Sequence, residues 1–492
     1  MTRTIIVTLL CGCFLTLSAS AGDIVGWRTD WTGKYPSADP PTKWSATESV
    51  VWKTPTPAWG NATPVLVGEK LFICAEPTTL VCLDAKTGAI LWQQATTYFD
   101  AMPAEEAARI KKLADEINVE KTQKEFRSAR GKVSRLEAPL RDKTNALARL
   151  KKEAEKKKDD AEARKKIADE IAKLEAEIPA LEQQVKAEKP ALEAAAAEIE
   201  KKLEPVKMLL LPDTQGTNGY SSPTPACDGA SVYVFFTTGV VACFDLDGHR
   251  KWTAMTEKPT LTYGVSASPL VAEGKVIVHP NEVHALDAAT GKPAWRQKSE
   301  PLWGSPALAE IEGKKVVLTN SGDWLLAADG QRIATKTGKA SYNQPLVADG
   351  IVYYIENGGA AFRLPKKIGD QPERLWKTAP PSPRYYASPV LHEGLIYDIN
   401  EQGILVAIDA ANGQLAYQQK LDLGREQCYP SVTLAGKYLF VSGSDGITVL
   451  FEPGRTFKEA FRNKLEQFRA TPIFTGTRMY VRTLKNLYCL GR

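Results

Sequence analysis

The stretch from Ser268 to Trp295, SPLVAEGKVIVHPNEVHALDAATGKPAW, constrains the fold more than any other. It reads as four short antiparallel strands. Residues 270–271 open an inner strand, Glu273-Gly274 turns, and residues 276–278 and 283–286 form the second and third strands. Asp287-Ala-Ala-Thr-Gly291 makes the last turn, and Trp295 lies in the fourth strand. β-Branched residues in alternation, punctuated by glycine, favour strands over helices. Such a small sheet cannot bury both apolar faces alone, so it has to stack on copies of itself.

The chain carries eight copies. Each starts at a small residue and a proline, at Pro64, Pro223, Pro269, Pro306, Pro345, Pro389, Pro430 and Pro472. A turn glycine follows, at Gly68, Gly229, Gly274, Gly313, Gly350, Gly394, Gly436 and Gly476. Apart from one long gap the period is about 40 residues, as for a four-stranded propeller blade. The second half of the unit recurs as Asp84–Gly88 leading to Trp92, Asp245–Gly248 to Trp252, Asp287–Gly291 to Trp295 and Asp409–Gly413 to Tyr417. The Asp side chain bonds the turn backbone and the Gly supplies a positive φ. The aromatic packs against the neighbouring sheet. Copies near Asp329 and Glu452 are degenerate. The eighth copy stops at Cys489-Leu490, before its fourth strand, while Val50-Val51-Trp52-Lys53-Thr54-Pro55 looks like a fourth strand with no sheet of its own. That N-terminal strand completes the last blade and removes the open sheet edges. The expected fold is all-β: an eight-bladed β-propeller of four-stranded antiparallel blades.

Composition changes abruptly in the long gap, residues 101–207, where Phe126 is the only aromatic. Heptad spacing runs through Val133, Leu136, Leu140, Leu147 and Leu150, and again from Ile167 through Ile171, Leu174, Ile178, Leu181 and Val185 to Ile199. Lys156-Lys-Lys-Asp-Asp160 lies between as a tip. This is an antiparallel α-helical coiled-coil hairpin inserted between blades 1 and 2, with Pro139 and Pro179 placed to kink the two arms side by side. Arms of that length reach about 70 Å at 1.5 Å per residue. The expected organisation is residues 1–21 as leader, 22–100 as closing strand and blade 1, 101–207 as insertion, and 208–492 as blades 2–8.

Arg3, an apolar run over residues 5–17, and Ser18-Ala19-Ser20-Ala21 match a secretory signal peptide cleaved after Ala21. A lipoprotein-style cleavage before Cys13 would leave a lipid anchor but a very short apolar core. No later stretch is long enough for a transmembrane segment. The chain is therefore expected to be exported, to the periplasm or beyond, or tethered at the outer membrane. Of eight cysteines, two fall in the leader. Cys82, Cys243 and Cys489 share a slot that Ala285 and Ala407 fill elsewhere, and read as buried small apolar residues. Cys74 and Cys82 flank one hairpin and are the pair best placed for a disulfide. A net charge of +5 is too balanced to argue for nucleic acid.

Candidate sites are few. His279 and His284 frame a turn and could be taken for metal ligands, but a solvated turn explains them better. One positional pattern stands out. An aromatic lies ahead of every anchor proline: Trp59, Tyr220, Tyr263, Trp303, Tyr342, Tyr386, Tyr429 and Phe468. There the chain enters the innermost strand, at the rim of the central channel. Packing between blades accounts for any one of them. Together they describe an aromatic rim, to which Arg384, Tyr385 and Arg469 add cations and a further ring. Tyr, Trp and Arg dominate interface hot spots.

The Asp-Ala-x-Thr-Gly-x-x-x-Trp units resemble the PQQ-type β-propeller repeat, and Trp27-Arg28, Pro40-Pro41-Thr42-Lys43-Trp44 and Val51-Trp52-Lys53 resemble the start of exported bacterial PQQ-like repeat proteins. The resemblance covers residues 23–100 and 208–492. It implies the propeller, but divides on function. One branch comprises quinoprotein alcohol dehydrogenases that hold pyrroloquinoline quinone (PQQ) and calcium in the funnel, beside a disulfide of adjacent cysteines. No two cysteines after the leader are adjacent, and no segment matches that branch's Asp, Glu and Asn motifs. The other branch resembles the propeller subunit of the outer-membrane β-barrel assembly machinery, which binds partners and has no cofactor. The expectation is a non-catalytic scaffold for a protein or peptide partner in the cell envelope, with no catalytic, metal or cofactor residues assigned. The alternatives are the quinone- and calcium-dependent dehydrogenase and a carbohydrate- or polymer-binding module.

Overall fold

The structure is a computed structural model that describes residues 23–157, 160–425 and 427–492. The leader, with both cleavage readings, lies outside the described residues. The chain divides into two compact units, one running to Ala101 and resuming over Pro212–Arg492, the other Met102–Leu211.

The first unit is an eight-bladed propeller. Blade 3 shows the repeat in full: strands Leu270–Ala272, Lys275–Val278, Val283–Asp287 and Pro293–Gln297, each antiparallel to the next. Blades 1 to 7 occupy residues 65–95, 226–255, 270–297, 307–334, 346–377, 390–420 and 433–464. Blade 8 takes three strands from 473–491 and its outer strand from Val50–Pro55, which pairs with Asn486–Gly491. One apolar cluster joins blade 7, blade 8 and blade 1, so the ring is closed by packing as well as by the borrowed strand.

The turn chemistry explains the blade contacts. Asp84 Oδ1 accepts from the Thr87 hydroxyl and from the amides of Thr87 and Lys86, and these bonds, the hydroxyl's first, hold its carboxyl below the usual range. The turn glycine then takes the next aromatic. The Trp52 indole of blade 8 donates to Ala85 O of blade 1 (3.2 Å), and a Cβ on Gly88 (φ +75°) would lie 2.5 Å from the ring. The same clasp repeats as Trp92 to Leu246 O, Trp252 to Ala288 O, Trp295 to Ala327 O and Trp376 to Ala410 O. A β-bulge in every blade sets the aromatic strand's register. It also explains the small-residue slot. Cys82, Cys243, Ala285, Ala361 and Cys489 each stand opposite the clasp tryptophan, and Ala407 opposite Tyr417 at the same position of blade 6. Degenerate blade 4 inverts the pair, with Trp324 opposite Ala334. Cys74 and Cys82 are buried and unbridged: Cys74 faces Leu80 and Cys82 faces Phe72, so the disulfide expectation is not met.

Residues 23–44 form a strap that the sequence did not disclose. Ile24 bridges Leu66 of blade 1, and Cys227 N of blade 2 donates to Val25 O. Lys34–Tyr35 then adds a parallel strand to blade 7, and Trp44 stacks on Phe440. In between, the Arg28 guanidinium is buried and donates to Pro389 O of blade 6 (2.8 Å) and Val432 O of blade 7 (3.0 Å). Burial lowers its pKa to about 10. Gly33 (φ +69°) lies against this guanidinium, where a side chain would clash.

The second unit is helical: Ala104–Ile117, Val119–Lys156 and Ala161–Leu203. The first arm is broken at Asn118, in the left-handed region, a break that heptad spacing did not signal. The helices run unbroken through Pro139, Pro179 and Pro190. Their antiparallel pairing is laced by Lys143–Glu177, Lys151–Glu175 and Lys189–Glu137.

Candidate functional site

The innermost strands enter the ring with their first amides turned toward the axis, where they need acceptors. They find them on the next blade. Thr63 N donates to Thr224 Oγ1, Thr224 N to Ser268 Oγ, and Ser268 N to Ser305 Oγ, at 3.0–3.1 Å. Gln344 N donates to Ser388 Oγ, Ser388 N to Ser431 Oγ, Ser431 N to Thr471 Oγ1, and Thr471 N to Thr63 Oγ1. The ladder lapses between blades 4 and 5, where Gln344 replaces the hydroxyl. This ring corrects two anchors. The residue after the ring hydroxyl is Pro225 in blade 2 and Val432 in blade 7, two positions beyond Pro223 and Pro430. The signal was present as a Ser or Thr directly before the inner strand's first residue.

Above the hydroxyls lies a cavity of about 410 Å³ lined from all eight blades, with Trp27 of the strap also in its wall. Tyr263, Trp303, Tyr342, Tyr386 and Tyr429 form a continuous arc around it, with neighbouring ring centroids 6.3, 5.1, 5.1 and 4.8 Å apart. With the corrected anchors, Trp303, Tyr342, Tyr386 and Tyr429 all sit three residues before the inner strand's first residue. Arg384 lies over the Tyr342 ring (5.9 Å) and donates to Tyr386 Oη (3.2 Å), which raises its own pKa. Arg469 lies over Tyr429 (5.9 Å) and donates to Thr217 O (3.1 Å).

Four of the sequence candidates stand elsewhere. Phe468 is buried in the cluster joining blades 7, 8 and 1, and Tyr385 is buried between blades 5 and 6, its hydroxyl on Pro381 O. Trp59 and Tyr220 are not in the cavity wall; the Tyr220 hydroxyl donates to Pro212 O, and its amide to Glu76. The shared cause is loop length. Only a three-residue approach or the Tyr263 loop turns the ring toward the axis.

The wall is polar as well as aromatic. Asn61, Gln215, Thr217, Ser222, Ser266 and Gln427 line it, with no carboxylate among the described lining residues. Trp27 Nε1, Trp303 Nε1 and Asn61 Oδ1 are buried atoms without a protein hydrogen-bond partner. Arg384 has Glu401 at 3.8 Å, whereas Arg469 makes no ion pair among the described residues. The histidines do not form a metal site. His279 is buried rather than solvated, with a pKa pushed by burial to about 4, and His284 Nε2 is 3.0 Å from Glu257 Oε1. Among the described residues no group of three or more His, Cys, Asp or Glu side chains could hold a metal ion.

The sequence profile of the PQQ-repeat family described as outer membrane protein assembly factor BamB matches residues 25–121 and 279–490, more than half of the chain. The chain belongs to that family. The factor BamB of Moranella endobia is 26% identical over 214 residues, 41% of this chain and 54% of that protein. That of Yersinia pestis is 22% identical over 218 residues, 42% and 55%. The chain thus spans about half the length of the curated relatives it matches. A quinohemoprotein alcohol dehydrogenase of Pseudomonas putida is 34% identical over 115 residues, 21% of this chain and 16% of that enzyme. The structure of a europium-containing methanol dehydrogenase superposes over 97% of this chain and 99% of its own, with a TM-score of 0.55 and 11% identity, a likeness of fold alone. No described helix is long and apolar enough to cross a membrane.

Proposed function

We propose that the chain is a non-catalytic, exported scaffold of the cell envelope, holding a protein or peptide segment in its axial cavity. The observation that carries this reading is the arc Tyr263–Trp303–Tyr342–Tyr386–Tyr429, flanked by Arg384 and Arg469. Rigid aromatics bring contact area at low entropic cost, and with arginine they are the residues that anchor interfaces. The name of the family favours a client of outer-membrane assembly.

The similarity to a quinohemoprotein enzyme raises the dehydrogenase reading. The residues present do not fit its calcium, a hard cation that takes six to eight oxygen ligands, largely carboxylate. The cavity wall offers hydroxyls, amides and two guanidinium groups instead.

Titration with an unfolded outer-membrane β-barrel chain, followed by tryptophan fluorescence, tests the proposal. Binding should weaken about tenfold or more in Trp303→Ala and Tyr386→Ala, the loss of a hot-spot side chain. Binding that ignores both changes refutes it, as does saturable binding of quinone and calcium with dye-linked alcohol oxidation. Saturable binding of an oligosaccharide in place of the barrel chain would transfer the arc to the carbohydrate reading.

A further inference from the structure

The cavity is built in layers along its axis. The five aromatics of the arc come first, ahead of their inner strands, then the hydroxyl ring, and one residue further on are the carbonyls of Pro389 and Val432 that hold Arg28. The strap crosses there as a chord from blades 1 and 2 to blades 6 and 7, and places Trp27 in the wall. It floors the cavity on the side away from the aromatics. At about 410 Å³ the space is that of a small-ligand pocket. It takes a few residues of a chain, and the strap crossing beyond the hydroxyl ring favours a chain end over a continuous strand.

The charge inside is one-sided. Arg469 has no carboxylate partner among the described residues, and Arg384 has only Glu401 at 3.8 Å. The unpartnered indole donors of Trp27 and Trp303 have the same sense. No carboxylate among the described lining residues opposes them. Two guanidinium groups beside the stacked Tyr386–Tyr429 pair (4.8 Å) therefore present a place for an anion next to a place for a ring. Asn61 Oδ1, buried without a protein partner, is placed to accept from a main-chain amide of a guest.

We propose that the guest is the carboxyl-terminal end of a peptide, with its carboxylate at Arg469 and Arg384 and an aromatic last side chain against Tyr386 and Tyr429. This rests on the binding role proposed above, and names the end of the partner that enters. Capture of a terminal carboxylate is a known mode of peptide recognition, and arginine is the side chain best suited to pair with a carboxylate.

The test uses the full chain and three probes, read by tryptophan fluorescence and calorimetry: a five-residue peptide ending in phenylalanine, its carboxamide, and free N-acetylphenylalanine. The free-acid peptide should bind about tenfold or more tighter than the carboxamide, the loss of a charge-assisted contact. Arg469→Gln should erase that preference and Arg469→Lys retain most of it. Arg469 also bonds the loop at Thr217, so melting is checked in both; Arg384→Gln serves as the second variant, and the acid–amide comparison on the unaltered protein needs no variant. Equal binding of acid and amide overturns the inference while leaving the arc free to bind an internal segment. N-Acetylphenylalanine binding as tightly as the peptide also overturns it, in favour of a small aromatic acid. If no probe binds, the inference fails, and the barrel-chain titration with Trp303→Ala decides the wider reading separately.

Discussion

Replacing Trp52 by alanine tests how the ring is closed. Trp52 is 9% exposed and lies between the borrowed outer strand of blade 8 and the turn of blade 1. Truncating a buried tryptophan costs about 3–5 kcal/mol, from lost transfer energy and the cavity left behind. The hydrogen bond adds little. Ala85 O also accepts from Arg478 Nη1 (3.0 Å) and Tyr480 Oη (3.2 Å), so it is not orphaned when the indole leaves. Trp52→Phe should therefore cost near the lower end of about 0.5–1.5 kcal/mol for the lost bond, plus the smaller ring. Trp252→Ala is the matched control. Trp252 is also 9% exposed and makes the same clasp across an interior seam, to Ala288 O at 2.9 Å. Urea unfolding followed by circular dichroism at one wavelength ranks the three variants. If the N-terminal strand closes the ring as described, Trp52→Ala and Trp252→Ala lose similar stability. A loss below about 1 kcal/mol for Trp52→Ala, within the range of a surface change, beside a full loss for Trp252→Ala, would refute the closure argument.

Three further outcomes follow from other parts of the molecule. Trp303→Ala and Tyr386→Ala should weaken partner binding with little change in melting temperature, because both rings stand in a cavity wall rather than between blades; unfolding of both variants would show that the arc is structural. Deletion of residues 103–205 should leave a soluble protein with β-type circular dichroism, and an insoluble product would show that the propeller depends on the helical unit. Glu466 gives a pH signature. Burial opposes ionisation there, but hydrogen bonds from Lys53, Tyr488, Asn486 and Thr483 overcome it and hold the carboxyl at about 2. Its unfolded value is about 4.3, so the stabilisation is fully present above that pH and is lost as the pH falls toward 2. Glu466→Gln should flatten that part of the stability–pH curve; identical slopes for variant and parent between these pH values would count against the assignment.

The repeat was legible because its causes are local. An Asp that caps a turn, a Gly at positive φ and an aromatic four residues on recur as chain pattern, and the missing fourth strand of the last blade could be matched to the spare one at 50–55. The small slot of Cys82, Cys243 and Cys489 was legible for the same reason, since each faces its aromatic across two neighbouring strands. The rim was only partly so. Every repeat has an aromatic ahead of its inner strand, yet Phe468 turns into the core and Tyr263 to the axis, because loop length and path decide the direction.

By itself, then, the sequence determined the number of blades, their strand order, the closing strand and the helical insertion. Those follow from periodicity and turn chemistry within a few residues. The tertiary structure alone decided the hydroxyl ring, the strap with buried Arg28, and which five aromatics meet. Each depends on partners tens to hundreds of residues apart, as Arg28 does on Val432, and on a register in which a shift of two residues exchanges Pro430 for Val432. A strand pattern of period two reads the same after such a shift; only the contact with the neighbouring blade distinguishes them.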